Sequence, residues 1–374
     1  MSPDLAPEVW PAVDGAPDVS EHTFSLLLDG DQLISRLRDP RVVLLAVMAS
    51  AVVLYVGLQR LSDAPSSGAQ DLIDRFPFNP IITPAMLPGE DGENINGPSL
   101  IRVPPWVEHP LAKYYLYFAH HRGKYIRLAY ADTLQGAWTI YEAGTLRVDD
   151  TVCDSVSSPQ VIKHVASPDV HVDDDARQIR MYFHCPAYVA GPVDDPGSYQ
   201  QITLVATSDD GINFEAGSEY LGDSYFRVFQ YGTYQYALGM PGVFYRSDDG
   251  LHGFVRGPSL FTENMRHSAV VLHDDTLIVF YSQIGDNPES ILMSTIDLTP
   301  DWMSWQATNP RVVLEPEMDW EGADLPMLPS ERGDAPGPVR QLRDPAIFVD
   351  DGRTYLLYSV AGESGIAIAE VHWP

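Results

Sequence analysis

Ile347-Phe348-Val349-Asp350-Asp351-Gly352-Arg353-Thr354-Tyr355-Leu356-Leu357-Tyr358 is the stretch that decides the fold. Two β-branched and aromatic runs flank an Asp/Gly turn, which is the composition of an antiparallel hairpin. The same phrase recurs upstream. Val170-His171-Val172 leads through Asp173-Asp174-Asp175 to Met181-Tyr182-Phe183. Val270-Val271-Leu272 leads through His273-Asp274-Asp275 to Leu277-Ile278-Val279-Phe280-Tyr281, and Tyr114-Tyr115-Leu116-Tyr117-Phe118 is of the same type. A third strand then closes on a small or acidic turn and an aromatic, as in Ser208-Asp209-Asp210-Gly211 before Phe214 and Ser247-Asp248-Asp249-Gly250 before Phe254.

Hairpin after hairpin at uneven spacing predicts an all-β chain, a five-bladed β-propeller. Its first strands open near Pro98, Pro168, Phe226, His267 and Pro345. A β-sandwich of many hairpins is the competing arrangement. The last blade shows three strands, so the segment from Phe76 to Met86 is expected to supply its outer one.

Composition narrows the function. Fifty-two acidic against 23 basic residues give a net charge of −29, which repels nucleic-acid phosphates and argues against such a partner. Two cysteines exclude a disulfide-dense scaffold; Cys153 and Cys185 are either paired or separate buried thiols.

Val42 to Leu58 is a charge-free apolar run near the short end of the roughly 17–25 residues that span a bilayer. Arg36, Arg38 and Arg41 precede it, and by the positive-inside rule the N-terminal side is cytoplasmic. The expected organisation is a disordered cytoplasmic tail at 1–41, a transmembrane signal anchor at 42–58, a linker at 59–75 and the propeller at 76–374. The expected location is a single-pass cell-membrane protein with its C-terminal domain extracytoplasmic.

In an antiparallel blade, the start of strand one and the turn between strands two and three share a face. That places Asn94, Asn96, Asp169, Arg227, His267, Arg343 and Asp344 on one rim with His120, His121, His184, Glu289 and Glu363. The opposite turns are plain Asp/Gly hairpins, so function is expected on the first rim. Trp106, Tyr188, Tyr199 and Tyr231 lie in segments suited to covering the apolar faces of sugars.

Ser167-Pro168-Asp169, Arg343-Asp344-Pro345 and Gly97-Pro98-Ser99 resemble the blade-opening signatures of five-bladed propeller glycosidases, namely glycoside hydrolase families 43, 32 and 68 with the related families 117 and 130. The resemblance spans roughly residues 90–374 and is of superfamily grade. It implies a sugar-binding pit on the propeller axis and hydrolysis by carboxylates from separate blades, acting on an oligo- or polysaccharide.

Glycoside cleavage needs a proton donor and a second carboxylate that activates water or attacks the anomeric carbon. On this reading Asp169 orients the acid, Glu289 is the candidate acid and Asp344 is a further catalytic carboxylate. His267 takes part as a histidine does in family 117. Asn94, Asn96, His120, His121, His184, Arg227 and Arg343 bind substrate. Two departures stand out: an amide, Asn96 or Asn94, where family 43 has its general base, and Arg227 where a third-blade Glu is expected. They keep a non-catalytic carbohydrate-binding propeller and a phosphorylase in play. No cofactor and no metal site are expected; an axial calcium, found in some family 43 members, has no Asp/Glu loop to support it.

Overall fold

The computed structural model describes residues 72–156, 158, 160–189 and 198–373. The tail at 1–41, the apolar run at 42–58 and nearly all of the linker lie outside the described residues. Among the described residues no helix is long and apolar enough to cross a membrane.

Five antiparallel sheets follow one another along the chain. Blade one is Asn96–Arg102, Tyr114–Ala119, Arg127–Ala131 and Thr139–Tyr141. Blade two is Ala166–Asp173, Gln178–Val189, Ser198–Ser208 and Gly222–Asp223, with Glu215–Ala216 on the same outer edge. Blade three is Arg227–Tyr231, Tyr234–Gly239, Val243–Ser247 and Val255–Ser259. Blade four is Met265–His273, Thr276–Gln283, Ile291–Asp297 and Arg311–Leu314. Blade five combines Arg343–Asp350, Arg353–Ser359 and Ile366–Val371 with Ile73–Arg75, which pairs Ile73 with Val371 and so closes the ring with the two ends of the domain. The expected closing segment at 76–86 is therefore corrected: the strand lies just before it, and the propeller begins ahead of residue 76.

The second strands of the blades, such as Tyr114–Ala119 and Arg353–Ser359, have no polar alternation because they are buried on both faces. Tyr355 and Leu357 pack toward Leu116 and Phe118 of blade one, while Leu356 and Tyr358 pack toward Ile278 and Phe280 of blade four. Every junction between neighbouring blades carries its own apolar cluster. Cys153 and Cys185 form a disulfide, tying the connection after blade one to the second strand of blade two.

Candidate active site

Each blade opening puts one strained residue at the axis. At Gly97, Ser167, Tyr225, His267 and Asp344 the backbone enters the left-handed region, with φ between 48° and 65°. In blades one, two, four and five the register slips at the same point, between Asn96 and Ser99, Ala166 and Asp169, Arg266 and Ala269, and Arg343 and Ala346. Such a bulge re-aims a side chain, and left-handed non-glycine residues concentrate at functional sites. Gly97 is the exception with a steric reason, since a Cβ there would stand 3.1 Å from Ser167 Cα.

Ser167, Tyr225, His267 and Asp344 line a pit of about 270 Å³ together with Asn96, His121, His164 and His184. Asp344 Oδ1 accepts a hydrogen bond from the Tyr225 hydroxyl at 2.8 Å and lies 3.7 Å from His267 Nδ1. Its Oδ2 is buried with no hydrogen-bond partner, as are Nδ1 of His267 and Nδ1 of His184. Burial, reinforced by the nearby Glu363 carboxylate, pushes the Asp344 carboxyl up to about 6. Burial holds His267 and His184 well below the usual imidazole range, with Arg266 adding to the effect at His267 and His164 at His184.

His121 goes the other way. Burial pulls it down, but Glu363 at 3.0 Å from Nδ1 outweighs burial and raises it. Glu363 also accepts from Asn94, from the backbone N–H of Ala335 at 3.3 Å and from Arg343 Nη1 at 3.0 Å. Burial would raise this carboxyl, yet His121 and Arg343 hold it down at about 2.

Around the pit wall runs a belt of alternating charge. Arg266 grips Glu289 with two hydrogen bonds, Nε to Oε1 at 2.9 Å and Nη2 to Oε2 at 2.7 Å. Arg343 Nε reaches the same Glu289 Oε2 at 2.7 Å and joins this pair to Glu363.

The structure thus gathers Asn96, His121, His184, His267 and Asp344 in one pit, and it separates the other expected residues. Asp169 does not line the pit: His171 Nε2 and the Val228 N–H each bind its Oδ2 at 2.8 Å, with Arg227 at 4.0 Å. Those partners hold its carboxyl low against the opposing effect of burial. Glu289 is locked between two guanidiniums and does not line the pit. Arg227 lies beneath Tyr225, 4.2 Å from the ring centroid, and donates to the carbonyls of Ser268, Pro168 and Phe226. Arg343 stands behind the pit, and Asn94 supports Glu363 and the His121 N–H. His120 turns aside to accept the Arg122 N–H at 2.8 Å. Trp106 and Tyr231 sit on the opposite face, bound to Asp174 and Asp275.

In blade one the position equivalent to Asp344 is Gly97 rather than Asn96. Ser167, Tyr225 and His164 are functional candidates that the sequence reading passed over. The signal for the first two was the residue just before Pro168 and Phe226, aligned with Asp344 before Pro345. Among the described residues no group of three or more His, Cys, Asp or Glu side chains is placed to hold a metal ion.

No family model matches the chain. It is 36% identical over 349 residues to "Uncharacterized protein R118" of Acanthamoeba polyphaga mimivirus, covering 86% of this chain and 96% of that protein. Among solved structures it is similar to a glycosyl hydrolase from Bacteroides ovatus, with TM-score 0.55, 11% identity, and 81% of this chain and 94% of that one covered. The same figures apply to a structure from the family 130 mannoside phosphorylases, a family containing glycoside hydrolases that target beta-1,2 mannosidic linkages in Candida mannan. These likenesses establish the five-bladed fold. The chain belongs to the family of the mimivirus protein, and it shares its fold with these glycoside hydrolases.

Proposed function

We propose that the chain is a glycoside hydrolase-like enzyme that cleaves glycosidic bonds of an extracytoplasmic glycan in the axial pit. One observation carries the reading. Asp344 has a buried, unpartnered carboxylate oxygen and lines a pit to which all five blade openings contribute.

In the proposed reaction Asp344 removes a proton from the attacking water as its oxygen bonds to the anomeric carbon. The glycosidic C–O bond breaks, and the imidazolium of His121, held by Glu363, gives its proton to the leaving oxygen. The neutral imidazoles of His184 and His267 hydrogen-bond sugar hydroxyls. The Cys153–Cys185 disulfide supports an oxidising compartment, and the Val42–Leu58 run supports a membrane tether.

The test is release of reducing sugar from a glycan panel by the full chain. Asp344→Asn should lower turnover at least about a hundredfold. With the native chain, kcat/KM should rise with pH through about 6 as Asp344 ionises. It should fall at higher pH as His121 loses its proton. Near-native turnover by the Asn variant overturns the mechanism. A second reading, binding without cleavage, is favoured by one fact: among the described residues Asp344 is the single carboxylate lining the pit. Glycan binding without product release would select it.

A further inference from the structure

We infer that the substrate is a neutral linear oligosaccharide whose outer units run from the pit along a groove beside blade two, where Tyr188 and Tyr199 form a sugar-stacking platform. This rests on the glycan reading above and specifies the class of glycan.

Register identifies where blade two departs from its neighbours. Asn96 pairs with Ala119 at the rim of blade one, and Ala166 pairs with His184 at the equivalent point of blade two. Blade one's second strand ends there, whereas the blade-two strand continues. Cys185 to Val189 pairs onward with Ile202 to Ser198. At ~3.3 Å per residue the extension projects about 17 Å past the rim. Its first residue is Cys185, bonded to Cys153. The disulfide therefore ties the base of a projecting wall to the connection from blade one, and the wall stands pre-organised beside the pit.

Between this wall and residues 160–164 lies a groove of about 370 Å³. His121, His164 and Gln201 belong to both the groove and the pit, so the two are continuous. Outward along it come Pro186, Ile162 and Tyr199. Tyr199 is paired across the hairpin with Tyr188, their ring centroids 5.7 Å apart and the rings inclined at 73°. Tyr188 and Ile162 are each 50% exposed. Exposed apolar surface that leads out of a pit lined with histidines and Asp344 fits a ligand with alternating C–H faces and hydroxyls, and Gln200 and Gln201 supply amides for the hydroxyls. The chain's net charge of −29 disfavours an anionic polymer.

The test compares the native full chain with a Tyr188→Ala/Tyr199→Ala variant on a ladder of neutral oligosaccharides of increasing length. The probes are drawn from whichever glycan the native chain cleaves or binds. The native chain should gain in kcat/KM, or in affinity, with length. The variant should lose about tenfold on the longer members, mostly in KM, and nothing on the shortest. Tyr188→Phe/Tyr199→Phe should keep the gain, which shows that the rings act and that folding is intact. Cys153→Ser/Cys185→Ser should give a smaller loss of the same kind. No gain with length, or an equal loss at every length, overturns the groove and leaves the pit chemistry standing. Failure of the native chain to bind or cleave any glycan removes the glycan reading itself, and the groove proposal with it.

Discussion

Asp344 and Glu289 are both buried carboxylates on the same rim, Asp344 1% and Glu289 0% exposed, and each lies against the Arg343 segment. Their surroundings are opposite. Glu289 has both oxygens clamped by Arg266 and Arg343, whereas Asp344 has one oxygen on Tyr225 and the other on nothing. Burial alone therefore does not mark a reactive group here. What separates them is the unspent hydrogen-bonding capacity, which nearly all buried polar groups in folded proteins have used up. Glu289 links Arg266 of blade four to Arg343 of blade five, while Asp344 beside them keeps one oxygen open.

The comparison breaks first at Glu289. Glu289→Gln leaves Arg266 and Arg343 facing an amide in a buried site, which costs about 3–5 kcal/mol for an uncompensated buried charge. A large drop in the urea midpoint is expected, with the loss appearing in stability before any step of catalysis. A variant as stable as the native chain would mean that the arginine belt carries no structural load.

Asp344→Asn should do the reverse to stability while it abolishes turnover. A carboxyl raised from 3.8 to about 6 is protonated in the folded chain over a range where the unfolded chain has released its proton. Stability therefore falls as pH rises through that window, and the ionised group costs the fold on the order of 3 kcal/mol above it. Asparagine has no proton to lose, so the variant should match the native chain near pH 4 and exceed it increasingly toward pH 7. Glu363, lowered from 4.5 to about 2, contributes stability above that range and loses it as pH falls. Denaturation midpoints across pH 4 to 7 measure the difference. A constant offset between the two chains would show that Asp344 is not titrating in this range.

The blades were legible because a strand buried on both faces writes an unbroken apolar run, as in Tyr355-Leu356-Leu357-Tyr358. The closing strand was not, since Ile73-Asp74-Arg75 offers one buried residue and takes its place by pairing with Val371. Antiparallel geometry placed His121, His184, His267 and Asp344 on one rim, where they line a single pit. It could not say which residue of an opening faces the axis, because the bulge decides that. In blades two and three the chosen residues, Asp169 and Arg227, lie two positions beyond Ser167 and Tyr225, which face the pit. Backbone φ carries that distinction and composition does not. The Tyr225–Asp344 bond joins positions far apart in the chain, so no local pattern announces it.

Asp169 supplies the smallest effect and the closest test of the rule. It carries the blade-opening motif as plainly as Asp344 does, but its Oδ2 is spent on His171 and on the Val228 N–H, bridging blades two and three. Asp169→Asn should cost about 1–2 kcal/mol, the worth of weakened hydrogen bonds to a charged acceptor. The cost should shrink as pH falls below the ordinary carboxylate range, where the native group also begins to lose its charge. Turnover should stay near native, because this side chain does not line the pit. A hundredfold loss of turnover in a well-folded Asn variant would put Asp169 back into the chemistry, and a carboxylate tied through one oxygen to two neighbouring strands could then no longer be read as structural here.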